Sequence, residues 1–201
     1  MSNVKAKEYK DDLSVRQVSQ NPRLKALGLF EITSSEVIVA DPISRQDSWR
    51  SLTLRQAKTG LWRASVIVTE EGRGDTRVAM LIASHTDLQK SRSKKLYSLF
   101  RSPIAMMGVD SGYAGIFCLN HFRDPEHEAW FDHWGNSGDL TGFAGPHGVV
   151  SNSGFGDGSY QCQTLRDKAE DKLEAVAILF IPVKRNRRLH ELVQQHCTSK
   201  Q

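Results

Sequence analysis

Residues 60–82 read Gly60-Leu61-Trp62-Arg63-Ala64-Ser65-Val66-Ile67-Val68-Thr69, then Glu70-Glu71-Gly72-Arg73-Gly74-Asp75, then Thr76-Arg77-Val78-Ala79-Met80-Leu81-Ile82. Two runs of apolar and β-branched residues flank a short polar loop with glycines, which is the pattern of an antiparallel hairpin. The branched side chains suit a pleated surface, and glycine supplies the backbone angles of a tight reversal. The Arg73-Gly74-Asp75 tripeptide at the tip matches an adhesion motif; we read it as coincidence.

The same unit recurs further along. Gly158-Ser159-Tyr160-Gln161-Cys162 opens a strand, Asp167-Lys168-Ala169-Glu170-Asp171 makes a loop, and Ala175-Val176-Ala177-Ile178-Leu179-Phe180 closes it. Gly60 stands 18 positions before Val78, and Gly158 stands 18 before Val176. At that constant offset Trp62 falls on Tyr160, Ala64 on Cys162, Ala79 on Ala177 and Leu81 on Leu179. Upstream, Val37-Ile38-Val39 has a looser counterpart in Gly115-Ile116-Phe117. The fold expected is mostly β, α+β only at the periphery. Two repeated antiparallel β units form a sandwich or barrel with flanking helices.

One domain with five parts follows. Residues 1–30 are a helical lead-in interrupted at Asn21-Pro22, 31–84 the first β repeat, and 85–108 a basic helical connector. Residues 109–183 are the second β repeat with an insertion at 121–148, and 184–201 a C-terminal helix. In the connector Leu96, Leu99 and Phe100 fit one helical face among Lys90, Arg92, Lys94, Lys95 and Arg101. In the last part Leu189, Leu192, Val193 and His196 recur at helical spacing, an apolar stripe that packs on the outside of the domain.

Composition removes several function classes. The formal charge of +4, from 27 basic and 23 acidic residues, is too mild to indicate nucleic acid. The basic clusters at 90–101 and 184–188 carry few interleaved aromatics, so they read as solvated faces. No apolar stretch approaches the roughly 20 residues of a membrane span, and the polar start lacks a secretory signal's apolar core. A cytoplasmic location is the default expectation. Three cysteines, Cys118, Cys162 and Cys197, form neither a disulfide framework nor a metal spacing. Cys118, among Ile116, Phe117 and Leu119, reads as a small core residue. His121, His127 and His133 recur every six residues, which suits neither one helix face nor a zinc motif; Trp130, Phe131 and Trp134 beside them read as sheet cover. No metal or cofactor is expected.

The densest functional signal is Ser151-Asn152-Ser153-Gly154-Phe155-Gly156-Asp157-Gly158-Ser159-Tyr160. Its alternate glycines let the backbone approach something closely, yet it lacks the lysine of a phosphate loop and the flanking glycines of a nucleophile elbow. Gly108-Val109-Asp110-Ser111-Gly112-Tyr113-Ala114-Gly115 has the same composition. The two loops are expected side by side, with Asp110, Ser111, Gly112, Ser153, Gly156, Asp157, Ser159 and Tyr160 as the binding set.

These segments, together with Val37–Pro42 and Gly148-Val149-Val150, resemble a bacterial family of uncharacterised proteins, domain-of-unknown-function family 4241. The resemblance spans about residues 32–181, and its most specific part pairs the Ser153–Tyr160 loop with Asp110–Phe117. Cys118 departs from the pattern, which has an acid after the phenylalanine. The family implies no activity and no catalytic set.

With no nucleophile–base pair, nucleotide loop or metal spacing, the leading expectation is a non-enzymatic binding protein of the bacterial immunity type. It would block a protein partner such as a toxin. The alternative is a hydrolase using Asp110 and Asp157 with a histidine, with or without a metal. A nucleic-acid-associated protein is the weaker third reading.

Overall fold

The structure, a computed structural model, describes residues 21–43, 51–71, 75–88, 105–122, 124, 141–167, 169–182 and 187–198. Its strands are β1 (Arg23–Ile32), β2 (Glu36–Ala40), β3 (Leu52–Arg55), β4 (Gly60–Glu71), β5 (Asp75–His85), β6 (Ala105–Val109), β7 (Tyr113–Cys118), β8 (Gly142–Gly145), β9 (Gly148–Asn152), β10 (Gly158–Arg166) and β11 (Leu173–Leu179). Its helices are α1 (Leu119–Phe122) and α2 (Arg187–Thr198). Six strands form one antiparallel sheet in the order β1-β4-β5-β11-β10-β6, and five form the other, β3-β2-β7-β9-β8.

The side-chain alternation of each strand decides how the sheets stack. Phe30, Trp62, Ala64, Val66, Leu81, Cys162, Val176 and Ile178 face inward from the larger sheet, where they meet Val37, Val39, Ile116 and Val149 of the smaller. The intervening residues Ile67, Met80, Ile82, Ala175 and Ala177 form a second apolar face, covered by Leu189, Leu192 and Val193 of α2. A strand buried on both faces reads as a nearly continuous apolar run, as β5 does. The result is an open sandwich; the six-stranded sheet ends in two different edges and does not close into a barrel.

The strand order is the same read from either end of the larger sheet, with β1-β4-β5 answered by β6-β10-β11. In the smaller sheet β2 pairs β7 at the centre, flanked by β3 and β9, and β8 is the unmatched addition. Gly60 and Gly158 open equivalent strands, and Trp62 and Tyr160 both point into the core. The Trp62 indole donates to Lys58 O at 2.8 Å, and the Tyr160 hydroxyl donates to Gly156 O at 2.7 Å, each four residues back. Both hairpins carry a register shift at the same place, after Ile67 in one and after Leu165 in the other.

The constant offset fails on the closing strands. Ala64 pairs with Ala83 and Cys162 with Ile178, so the equivalent of Ala83 is Ile178, not a residue three further on. The second hairpin has a shorter tip. Leu81 faces the core and Leu179 the outer face, so that pairing, with Ala79 on Ala177, was out of phase. Val37-Ile38-Val39 likewise matches Ala114-Gly115-Ile116, one residue earlier than the sequence alignment, because Val37, Val39, Ala114 and Ile116 are the inward set.

The boundaries also shift. Strand structure begins at Arg23 rather than near residue 30. A bulge between Ala26 and Gly28, with Gly28 at φ +135°, breaks the alternation that would have revealed it. The connector expected to reach residue 108 gives way to β6 at Ala105, and the insertion contains β8. The expected N-terminal helix, the connector helix with its basic cluster, and His127, Trp130, Phe131, His133 and Trp134 lie outside the described residues. The C-terminal helix forms where its stripe placed it, with Leu189, Leu192, Val193 and His196 all buried.

Candidate functional site

The chain leaves β2 through Asp41-Pro42, and the Asp41 side chain ties that exit to the turn before β7. Its Oδ2 accepts from the Asp110 and Ser111 backbone amides, both at 2.8 Å. Its Oδ1 accepts from the Ser111 hydroxyl at 2.7 Å and the Ile43 amide at 2.9 Å. A residue only 1% exposed needs such partners, since a buried acceptor without them costs its full desolvation.

This clamp holds the first glycine loop against the second. The Ser153 amide donates to Gly112 O at 2.9 Å, and a Cβ added to Gly112 would come within 3.8 Å of the Gly156 Cα. Inside the second loop the Ser153 and Tyr160 hydroxyls converge on Gly156 O, at 2.6 and 2.7 Å. Burial, and to a lesser degree the nearby Asp157, hold the Tyr160 hydroxyl above the usual tyrosine range against the opposing Ser153 bond. Gly154, at φ +74°, presses on β5: a Cβ there would meet Val78 O at 2.7 Å. Arg77 of β5 donates to Gly154 O at 3.0 Å and lays its guanidinium 5.0 Å from the centre of the Phe155 ring.

The eight expected residues therefore do come together, in two roles. Asp110, Asp157 and Ser159 are exposed at the surface of the cluster. Ser111, Gly112, Ser153, Gly156 and Tyr160 build the scaffold beneath them. Three contributors were missed. Asp41 stood only at the end of the Val37–Pro42 segment, and its partners in the glycine loop lie about 70 residues away in sequence. Arg77 read as strand. Phe155, 41% exposed at the loop tip, is an aromatic between two glycines, a pattern that the sequence reading left out of the binding set.

A mirror image of the Asp41 clamp lies at the other end of β7. Thr33 and Ser34 follow β1 as Asp110 and Ser111 follow β6. The Glu36 amide donates to Ser34 Oγ at 3.4 Å, as the Tyr113 amide does to Ser111 Oγ at 3.3 Å. The group facing Thr33 and Ser34 is Cys118, whose Sγ is 3.4 Å from Thr33 Oγ1 and 3.3 Å from Ser34 Oγ, while the Ser34 hydroxyl donates to Glu36 O at 3.0 Å. Burial by itself would raise the Cys118 thiol, but side-chain and backbone hydrogen bonds from Ser34 and Thr33 outweigh it and hold the thiol below the usual range. Burial pushes Cys162 up to about 12 and Cys197 up to about 11. An acid at 118 would face the hydroxyls of Thr33 and Ser34, as Asp41 faces that of Ser111. Beside Cys118, His121 Nε2 lies 3.1 Å from Thr33 Oγ1, and its ring stacks on His147 with centroids 3.6 Å apart.

The described histidines of the insertion, His121 and His147, thus stand beyond one end of β7, whereas Asp110 and Asp157 stand beyond the other. Among the described residues no three His, Cys, Asp or Glu side chains are grouped to hold a metal ion. Ser65, His196 and Ser84 form a serine–histidine set, with His196 Nε2 2.9 Å from Ser84 Oγ and Nδ1 3.0 Å from Ser65 Oγ. All three are buried between α2 and the six-stranded sheet, closed off from solvent. No helix among the described residues is long and apolar enough to cross a membrane. No protein-family model, no curated protein and no solved structure matches the chain.

Proposed function

We propose that this chain is a non-enzymatic binding module of the immunity type, which blocks a protein partner by inserting Phe155. The observation that carries the reading is the state of that residue: a large aromatic, exposed, on a loop fixed from three sides. Arg77 grips it from β5, Ser153 and Tyr160 lock the loop carbonyl beneath it, and Gly112 anchors the loop's base. An aromatic held ready in this way loses little conformational entropy on binding, the property that makes interface hot spots. Asp110, Asp157 and Ser159 beside it form a polar, acidic rim. The complementary partner presents an apolar pocket bordered by basic groups.

A photo-crosslinking residue at position 155, used in an extract of the producing cell, identifies the partner, and titration with the purified partner measures the contact. Phe155→Ala is expected to weaken that complex by about 30-fold or more, the loss of a hot spot worth roughly 2 kcal/mol, with little change in thermal stability. Equal affinity of Phe155→Ala and wild type for the crosslinked partner would refute the proposal. The hydrolase alternative is separated by Asp157→Asn, which in that case abolishes turnover instead.

A further inference from the structure

We propose that α2 is an acid-released latch: protonation of His196 lifts the helix off the six-stranded sheet and bares the sheet's outer apolar face, while the sandwich core stays folded. The geometry makes this histidine the pivot of the contact. His196 is fully buried, and each ring nitrogen is engaged by a serine of a different strand, Ser65 on β4 and Ser84 on β5. A neutral ring suits such a site, donating to one hydroxyl and accepting from the other. Protonation turns both nitrogens into donors and places a charge in a contact otherwise made by Leu189, Leu192, Val193, Ile67, Met80 and Ile82.

The two serine hydroxyls can turn to accept from both N–H groups of the protonated ring, but they carry no charge to offset its burial. From β4 comes Arg63, whose guanidinium donates to His196 O at 3.4 Å and to Cys197 O at 2.9 Å, so a second cation already occupies this end of the helix. From β5 comes Ser84, and the apolar cluster of the same interface takes Leu24 from β1 and Cys197 from α2. The charged side chains of the helix, Arg187, Arg188 and Glu191, pair with one another on its outer faces. Burial first, and Arg63 second, depress His196 from 6.5 to about 3.

The direction follows from linkage. The released helix binds a proton below the ordinary histidine pKa and the docked helix does not, so docking is at full strength above about 6.5 and weakens as pH falls towards 3. Between pH 7 and pH 5 the docked-to-released ratio is expected to fall about 25-fold. Hydrogen exchange of the full chain, corrected for intrinsic rates, reads this directly: amides of 187–198 lose protection over that range while those of β4 and β5 do not. His196→Gln keeps hydrogen-bonding groups without titrating, and its helix is expected to hold constant protection. A second readout needs no variant. Cys197, on the buried face of α2, is expected to react with 4,4′-dithiodipyridine about 25-fold faster at pH 5 than at pH 7 relative to an unfolded control peptide, with core Cys162 unchanged. Helix protection that tracks β4 and β5 at every pH, or a Cys197 rate that stays flat, overturns the latch.

Discussion

Replacing Asp41 by alanine tests the clamp that positions the glycine loops. The side chain accepts four hydrogen bonds between 2.7 and 2.9 Å, from Ile43, Asp110 and twice from Ser111. Hydrogen bonds to a carboxylate are worth about 1.5–3 kcal/mol each in isolation, but they share one side chain and do not add. The Asp110–Ser111 turn is partly exposed, so water recovers some of the freed amides. A net loss of about 3 kcal/mol is the expected result, which for a domain of this size lowers Tm by about 6–12 °C. Urea unfolding followed by tryptophan fluorescence measures it, and hydrogen exchange at residues 110–113 shows whether the turn loosens locally. Asp157→Ala, at an exposed carboxylate, is the control and stays within about 0.5 kcal/mol of wild type. An Asp41→Ala protein that loses less than about 1 kcal/mol and keeps the turn protected would refute the reasoning.

Cys118→Asp places a carboxylate against the Thr33 and Ser34 hydroxyls, which can turn to donate to it as the Ser111 hydroxyl does to Asp41. It is expected to fold with stability within about 1 kcal/mol of wild type, whereas Ile116→Asp, two residues back with no such donors, costs more than about 3 kcal/mol by chemical denaturation. Gly154→Ala combines a positive φ with a Cβ 2.7 Å from Val78 O, and is expected to lose about 2 kcal/mol or more in the same assay.

The hairpins were legible because β5 and β11 carry nearly continuous apolar runs, the opening strands start on a glycine with an aromatic two positions on, and the tips carry turn residues. Trp62 and Tyr160 are large enough to mark equivalent core positions without knowledge of pairing. The phase of the closing strands was not legible: Ala79 and Ala177 are the same residue type on strands buried on both sides, so composition does not say which face each takes. β3 and β8 escaped notice at four residues each, since a strand that short shows too few alternations to be told from a loop. At the site, local motifs carried the glycine loops, whose residues lie within ten positions of each other. Asp41 and Arg77 belong to the site only through contacts 69 and 77 residues distant in sequence, a pairing that no local pattern encodes.

The central seams of both sheets join different halves of the chain. β5 pairs with β11 in one sheet and β2 with β7 in the other, so residues up to His85 and residues from Ala105 onward each own half of two layers. A single cut of the backbone between β5 and β6 would leave two fragments, each with an unfinished pair of layers and an open antiparallel edge in both. The complement each fragment lacks has its own strand order, so either piece could satisfy its edges with the other or with a second copy of itself. Covalent continuity between the halves therefore does more than connect them: it raises the local concentration of the intended complement above that of any like fragment, and so selects the mixed pairing over the self-pairing that near-identical topology would otherwise permit.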